Sequence, residues 1–391
     1  MNLLFKDFAN EFPWLRDTYK KGKAIVKYVK NHQSSLAMFR TYSHLELLKV
    51  AQTRCASQYI LLKRPLDCRE ALITLVCQKK WKEWVKKGDE QSRKLGAEVA
   101  ENVKNDNFWD EVENIVTILK PLYHVLRFAD GEGPRMGEIY EKMDNMSGEV
   151  QDTMASNRYF HDFSKMEQLI TKRWEKMNVP IHCVGFALNP RFYDANYLKS
   201  PAPGGVSRKA PNLDKEVVTG LMKSLEKLAN NPLEESKLRD QFATFYMKKE
   251  IFGTKAAQVD SVTMDAITWW STYGCETPEL AVIAIKILSQ PISSSSAERN
   301  WSTYKFIHSV IRNKLNNIRA DKLVFIHENL RLISRFTSDY NSGEFKGWDI
   351  EPDNPTLEDS SIRLLELTWE SLDDANPFQS LSKGKEIACS S

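Results

Sequence analysis

Apolar residues recur at helical spacing along most of the chain. In the clearest segment, residues 107–128, they follow one another in steps of four and three, which places them on one helix face. They are Phe108, Val112, Ile115, Leu119, Leu122 and Leu126. Other helices are predicted at about 2–31, 67–87, 135–178, 214–229 and 233–250. The pattern therefore predicts a mainly α-helical protein.

The ends of the clearest helix carry recognisable signals. Asp106 is a suitable N-cap, because its side chain can accept a hydrogen bond from the first turn. Pro121 lacks an N–H, so it should kink the helix or divide it in two. The sequence DGEGP at 130–134 should then end it.

Strand signals are few. The best is IHCVGFAL at 181–188, which also fits a buried helical turn. TPELAVIAIKIL at 277–288 is apolar enough for a buried strand, but Thr277, Pro278 and Glu279 are helix-start signals, and we predict a helix there.

Two segments have a composition that is typical of chain outside the hydrophobic core. SPAPGGVSRKAP, at 200–211, is typical of a mobile linker. Residues 336–391 are rich in Asp, Glu, Ser, Asn and Pro, which predicts an acidic and largely disordered tail. Within it, residues 362–372 are amphipathic and predict a short helix against a partner or the body.

The net charge of +3 over 391 residues hides an uneven distribution. Residues 1–100 carry 20 Lys/Arg against 10 Asp/Glu, whereas residues 336–391 carry 4 against 12. The basic third includes KKWKEWVKK at 79–87, whose lysines and tryptophan suit nucleic acid. This candidate set is Lys79, Lys80, Trp81, Lys82, Lys86 and Lys87. The alternative is an amphipathic helix with Trp81 and Trp84 packed inward and its lysines solvated, which is the commoner meaning of a charge run.

Several classes of chemistry lack support. The six cysteines form no CxxC pair, and the seven histidines show no ligand spacing, so no metal site is predicted. No phosphate-binding or nucleotide-binding glycine motif is present, so no cofactor or small-molecule substrate is predicted. The longest apolar runs are far shorter than the ~20 residues that a membrane-spanning helix needs. A membrane partner is therefore not expected.

The most informative stretch is 269–332. It contains a Trp pair, a serine run before ERNWS, then IH, RNKL, and a last helix ending in ENLRL. This ordered set resembles the carboxy-terminal dimerisation region of hAT-superfamily transposases, particularly the plant lineage. Three upstream segments, 52–57, 121–143 and 182–193, resemble other elements of that lineage.

The resemblance implies a homodimer. The residues that it assigns to dimerisation are Trp301, Ile307, Leu315, Leu323, Ile326, Leu330 and Ile333. The last four fall on one face of a helix predicted at about 320–335. From periodicity alone the same stripe fits an ordinary core-facing helix.

The resemblance also implies a ribonuclease H-like catalytic domain with a large helical insertion. Such enzymes hold divalent metal with two Asp and one Glu, because two hard cations need bridging carboxylates. Glu298 matches the metal-binding Glu of the family. The segment MNLLFKDF at 1–8 resembles the family sequence that follows the two metal-binding Asp residues. Neither Asp is therefore matched in this sequence. Ser295 and Glu298 also fit a helix capping box. We therefore expect Glu298 to be vestigial and the chain not to be an enzyme.

These features predict four parts. Residues 1–90 are a remnant of a ribonuclease H-like domain, 91–265 the helical insertion, 266–335 the dimerisation region and 336–391 the tail. The expected function is that of a non-catalytic, domesticated transposase acting through dimerisation in the nucleus or cytoplasm. The alternatives are a DNA-associated regulator that binds through the basic third, and a truncated fragment of an active transposase.

Overall fold

The computed structural model describes residues 2–48, 57–131, 133–155, 157–294 and 316–334, together with Trp301, Tyr304 and Ile307. Within these ranges the secondary structure is helical and no strand occurs. The mainly α prediction is confirmed. The α-helices are α1 Asn2–Glu11, α2 Pro13–Asn31, α3 Gln33–Arg40, α4 Ser57–Asp67, α5 Arg69–Cys77, α6 Lys79–Lys86, α7 Glu90–Lys104, α8 Asp106–Asp130, α9 Ile139–Ala155, α10 Phe163–Met177, α11 Pro180–Ala187, α12 Ala195–Lys199, α13 Lys215–Leu228, α14 Pro232–Tyr246, α15 Lys255–Thr263, α16 Ala266–Tyr273, α17 Pro278–Leu288 and α18 Asn317–Ser334. Short 3₁₀ helices span Phe160–Asp162, Pro190–Tyr193, Pro203–Gly205, Pro211–Leu213, Glu250–Gly253 and Gly274–Glu276.

Three predicted helices are each divided in the structure. The one predicted at 2–31 breaks before Pro13, which begins α2 because proline suits a first helical position. The stretch predicted at 67–87 contains α5 and α6, which are separated by the extended backbone of Gln78, with ψ 143°. The stretch predicted at 135–178 contains α9 and α10. Periodicity thus located the helices and missed their breaks.

The long helix α8 corrects two details of its prediction. Its N-cap is Asn105 rather than Asp106, and the Asn105 side-chain oxygen accepts from the Asn107 N–H at 3.0 Å. Pro121 does not divide the helix, which continues to Asp130. Its pyrrolidine ring is buried, so core packing stabilises the helix where the missing hydrogen bond weakens it.

The best strand candidate is a helix. Residues 181–188 fall largely in α11, which begins at Pro180 and ends at Ala187. A helix packed on several neighbours is apolar on most sides, so it shows the same continuous apolar run as a buried strand. Gly220 of α13 permits the contact, since a Cβ there would lie 2.6 Å from the Cys183 sulfur.

The chain forms two compact units. One comprises the described residues within Met1–Ala24, Val50–Leu66 and Asn105–Glu328, and the other the described residues within Ile25–Lys49, Asp67–Lys104 and Asn329–Ser391. This grouping by contacts does not follow the predicted boundaries at 90 and 265. The boundaries at 90 and 265 come from the family resemblance and not from packing within the chain, so they stay predictions.

The core of the larger unit lies among α8, α9, α11 and α13. Fully buried side chains come from each of these helices, for example Leu119, Met146, Val184 and Leu221. Burying an apolar side chain of this size contributes about 1.5–3 kcal/mol. The large unit is therefore stabilised by apolar stripes that the sequence pattern reveals.

The segment 200–211 packs on α9 instead of forming an open linker. A Cβ on Gly148 of α9 would lie 2.0 Å from the carbonyl oxygen of Pro203, so the two backbones are in direct contact. Gly204 has φ +77°, and its N–H donates to the Asp152 carboxylate at 2.9 Å. The expectation of a mobile linker is corrected: the glycines that suggest flexibility permit close approach here. We call this segment the strap.

One arginine anchors the far end of the strap. The Arg208 guanidinium donates to the Glu141 carboxylate at 3.0 Å, the Asn145 side-chain oxygen at 3.3 Å and the Tyr197 hydroxyl at 3.1 Å. The Arg208 and Glu141 side chains are each only 15% exposed. A bond with this little solvent access is screened less than a surface ion pair.

The smaller unit is built around an aromatic cluster. Trp81 of α6 is 1% exposed, and its ring lies 5.8 Å from that of Tyr28. The Tyr28 hydroxyl donates to the carbonyl oxygen of Ser92 at 3.0 Å. Gly96 of α7 makes room, because a Cβ there would lie 2.4 Å from the Tyr28 hydroxyl.

Candidate functional site

The Trp pair of the informative stretch lies in the interior of the larger unit. Trp269 and Trp270, on α16, are each 1% exposed. The Trp269 indole N–H donates to the Ala257 carbonyl at 2.9 Å, and the Trp270 N–H to the Leu188 carbonyl at 2.7 Å. Buried indoles need such partners. This pair therefore holds one chain together and does not belong to an interface.

Two phenylalanines complete the same cluster. The Phe252 ring stacks on Trp269 with centroids 5.5 Å apart, and the Phe245 ring lies 4.8 Å from Trp270. Both phenylalanines precede the stretch that the sequence singled out. The structural element around the Trp pair thus begins at the end of α14.

A glutamine side chain caps the start of α17. Thr277 occupies the predicted N-cap position, but no side-chain cap bond forms there. Instead the Gln241 side-chain oxygen accepts from the Leu280 N–H at 2.8 Å, and the Gln241 amide donates to Glu279. The ammonium of Lys237 and that amide together hold the pKa of Glu279 at about 2.

The turn between α14 and α15 adopts a rare backbone conformation. Lys248 and Glu250 both have φ +54°, in the left-handed region that non-glycine residues seldom occupy. The Lys248 ammonium donates to the Tyr193 carbonyl at 2.9 Å. A Cβ on Gly253 would lie 2.4 Å from the Lys248 carbonyl oxygen, so this glycine is needed for the turn to close. The turn places Phe252 on the Trp pair.

The last described helix has the opposite character. On α18, the apolar residues Leu323, Ile326, Leu330 and Ile333 are between 43% and 62% exposed. Steps of three, four and three place them on one face, and we call this face the seam. Ala320, fully buried, lies on another side of the helix. The seam is therefore a solvent-exposed apolar face rather than core.

The other residues predicted for dimerisation divide between surface and interior. Trp301 is 70% exposed, whereas Ile307 is 6% exposed. Leu315 lies outside the described residues, as do Glu298 and its predicted capping partner Ser295.

The candidate nucleic-acid residues lie on α6 and directly after it. Lys79, Lys80, Lys82, Lys86 and Lys87 are exposed, so phosphates can approach them from solvent, although the Lys79 ammonium also lies 3.8 Å from the Glu83 carboxylate. Trp81 is buried against Tyr28 and cannot stack on a base, so its place in the candidate set was wrong. The physical reason is that Tyr28, far earlier in the chain, covers it.

A shallow cleft accompanies these lysines. It has a volume of about 310 Å³ and lies between α3 and α6. Its lining residues are Ser34, Met38, Lys80, Glu83, Trp84 and Lys87. Trp84 is partly exposed there, and its ring meets that of His32 at 5.3 Å.

Neither metal-site nor membrane-spanning features occur in the part of the chain that the structure describes. Within it, no group of three or more His, Cys, Asp or Glu side chains is placed to hold a metal ion. None of its helices combines the length and the apolar character that crossing a membrane requires.

Residues 242–330 match the family model of the hAT family C-terminal dimerisation region. This match supports a relationship to hAT-family transposases. The matched hAT region covers somewhat under a quarter of the 391 residues. It starts earlier than the predicted boundary at 266, and the start falls where Phe245 and Phe252 join the Trp pair. A search of curated proteins finds no match to the chain.

Two helical parts of the hAT region that the structure describes differ in their surroundings. The first runs from the end of α14 to α17 and is closed around aromatic side chains. The second is α18, which exposes its seam. The sequence did not reveal that Gln241 caps α17. It also did not indicate Ile318 as an exposed apolar residue of α18, where its side chain is 67% exposed. A side-chain cap from another helix leaves no local signal, and Ile318 lies off the predicted stripe.

Proposed function

We propose that this protein acts by self-association through its hAT region, as a homodimer at the least. The observation that carries the proposal is the exposed seam on α18, three of whose four residues lie in the segment that matches a dimerisation family. Water-exposed apolar stripes of this kind mark contact surfaces, because removing them from water is favourable. A stable interface needs about 1,200–2,000 Å² of buried surface in total.

Light scattering coupled to size exclusion tests the proposal. At tens of micromolar the full chain should elute with the mass of more than one copy, and Leu330→Asp should reduce that mass. The matched control is Leu233→Asp, since Leu233 is 81% exposed and lies outside the hAT region. A wild-type monomer, or equal effects of the two substitutions, would reject the proposal.

We further propose that the chain is not catalytic. The support is the sequence pattern, in which Glu298 is matched and the two aspartates of the family are not. The two-metal reaction that the resemblance implies uses all three carboxylates to hold its metal ions. With Mg²⁺ or Mn²⁺, wild type and Glu298→Gln should therefore cleave and join DNA equally poorly. Activity in wild type that Glu298→Gln abolishes would overturn this point.

A second candidate function is DNA association by the basic third, supported by the exposed lysines of α6 beside the cleft. Phosphate contacts release counterions, so affinity should fall with salt, with a slope near 0.9 per contact. Lys80→Glu with Lys87→Glu should flatten that slope. Lys223→Glu with Lys227→Glu on α13 is the control pair, since both are exposed lysines at helical spacing. No measurable binding at 50 mM salt would reject this candidate.

The family relationship also supports three finer proposals. These are descent from a ribonuclease H-like domain for residues 1–90, domestication from a plant-lineage transposon, and residence in the nucleus. Imaging of a fluorescently tagged full chain checks the last of these, and exclusion from the nucleus would contradict it.

A further inference from the structure

Trp84 is the aromatic side chain that lines the cleft between α3 and α6. It is partly exposed, whereas Trp81 on the same helix is only 1% exposed. The Trp84 ring lies 5.3 Å from the His32 ring and 5.9 Å from the Tyr28 ring, and the Trp81 ring lies 5.4 Å away. Three neighbouring rings therefore hold the Trp84 indole in position. A side chain that is already fixed loses little conformational freedom when a flat ligand binds to it.

Two lysines lie on the same face of α6 as this indole. Lys80 precedes Trp84 by four residues and Lys87 follows it by three, and both line the cleft. They lie about 10 Å apart along the helix axis, one on each side of the indole. Both are exposed, and neither forms a salt bridge within the part of the chain that the structure describes. Their charges are therefore available to a ligand in the cleft.

One carboxylate also lines the cleft, and its charge is offset. The Glu83 carboxylate lies 3.8 Å from the Lys79 ammonium. Residues 79–87 contain five lysines against this single acid. The other lining residues are Ser34, which offers a hydroxyl donor, and Met38, which offers an apolar contact. Charge complementarity therefore favours an anionic ligand with an apolar, flat part.

The size and contents of the cleft favour an unpaired base over a double helix. Its volume of about 310 Å³ is at the small end of ligand pockets, which run from about 300 to 1,000 Å³, so it suits one planar group. In a duplex the faces of the bases are covered within the stack, and only base edges reach the grooves. A single strand offers an open base face between two phosphates, which matches an indole between two lysines.

We propose that this cleft binds single-stranded DNA, with one base stacked on Trp84 and the flanking phosphates held by Lys80 and Lys87. The inference rests on DNA association by the basic third, the second candidate function, and specifies the form of the DNA and the residues that bind it. Because every base has a π face, the site should accept the four bases with little preference.

Three DNA probes of equal length test the proposal on the full chain. They are a labelled single strand of about 12 nucleotides, the blunt duplex of the same sequence, and a strand with a stable base-free sugar at every position. Fluorescence anisotropy at 50 mM NaCl gives the affinities. The single strand should bind about tenfold or more tightly than the base-free strand, because only it can stack. It should also bind more tightly than the duplex, although electrostatics alone would favour the duplex with its two sets of phosphates.

Two substitutions at Trp84 separate stacking from packing. Trp84→Phe keeps an aromatic face, whereas Trp84→Leu keeps an apolar side chain without one. Trp84→Phe should bind the single strand within about threefold of wild type, and Trp84→Leu should bind it about tenfold or more weakly. Both should bind the base-free strand as wild type does. Circular dichroism checks the fold of each variant, and if either unfolds, the three probes on wild type still decide.

The lysines of the same segment provide a matched charge control. Lys80→Ala with Lys87→Ala removes two charges that line the cleft. Lys82→Ala with Lys86→Ala removes two exposed charges that do not line it. The first pair should weaken binding of the single strand at least about threefold more than the second pair does. Equal losses would mean that the total charge of the segment carries the binding, and would overturn the proposed site.

The remaining outcomes separate this inference from the candidate function on which it rests. No measurable binding to any of the three probes overturns both. A duplex or a base-free strand that binds as tightly as the single strand overturns the inference and leaves DNA association standing. Unchanged binding by Trp84→Leu also overturns it, because the base would then lie elsewhere. An RNA strand of the same sequence that binds more tightly than the DNA strand would contradict the assignment to DNA.

Discussion

The Trp pair and three of the four seam residues belong to one family-matched region, but the pair and the seam differ in what surrounds them. Trp269 and Trp270 are closed in by Phe245 and Phe252, and their N–H groups are satisfied within the chain. The seam of α18 presents comparably apolar side chains to water. A single sequence signature therefore combines residues that form the fold with residues that remain available to partners.

The largest expected effect comes from shortening a side chain of the buried Trp pair. Trp270→Ala should cost about 3–5 kcal/mol of unfolding free energy, since a large cavity forms and the Leu188 carbonyl loses its donor. Urea unfolding followed by circular dichroism measures it. Trp301→Ala, at a 70% exposed position, should stay within about 0.5 kcal/mol of wild type. Equal losses would erase the distinction between core and surface tryptophans.

Next in size is the effect of a charge on the seam. Ile333→Asp should weaken association at least about 100-fold, because a carboxylate entering an apolar contact loses several kcal/mol of hydration. Dilution experiments by sedimentation give the dissociation constant. The helical signal of the dilute chain should be unchanged. A loss of that signal would indicate that Ile333 supports the fold instead.

A smaller effect is expected from salt. Association through apolar faces should change by less than about threefold between 50 mM and 1 M NaCl, since screening acts on charges. The same dilution series measures this. Steep weakening with salt would mean that charged residues, such as Arg319 or Lys322 at the start of α18, carry the contact.

The smallest effect concerns the cap of α17 in the buried half. The pKa of Glu279 is lowered to about 2, so the folded protein favours its ionised form. That stability is present above the ordinary carboxyl pKa and is lost as pH falls toward 2. At pH 6, Glu279→Gln should therefore have a lower melting temperature than wild type. At pH 2.5 the difference in melting temperature between the two proteins should be smaller. If the difference in melting temperature stayed the same between pH 6 and pH 2.5, ionisation of Glu279 would not contribute to the pH dependence of stability.

Sequence reasoning identified the seam residues but not their surroundings. The spacing of Leu323, Ile326, Leu330 and Ile333 shows that they share a face, and periodicity is the same for a core and an interface. Burial depends on what the rest of the chain places opposite, as for Trp81, which Tyr28 covers. Such long-range partners leave no mark in a local pattern.

The helical class was predictable, and particular boundaries were not. Pro13 is a standard first residue of a helix, so the break between α1 and α2 could have been foreseen. Neither the undivided course of α8 through Pro121 nor the contact of Gly148 with the strap could. Both depend on tertiary packing, which overrides local propensity.

The strap has a practical meaning for proteases. Its Pro, Gly and Ser residues and its adjacent Arg208 and Lys209 would normally identify it as the place where trypsin cuts a native protein. Cleavage requires the chain to leave α9 and enter the enzyme as an extended strand. The contact between Gly148 and Pro203 and the bonds of Arg208 oppose that release. A native digest should therefore spare this site, and dividing the protein there would cut through packed structure.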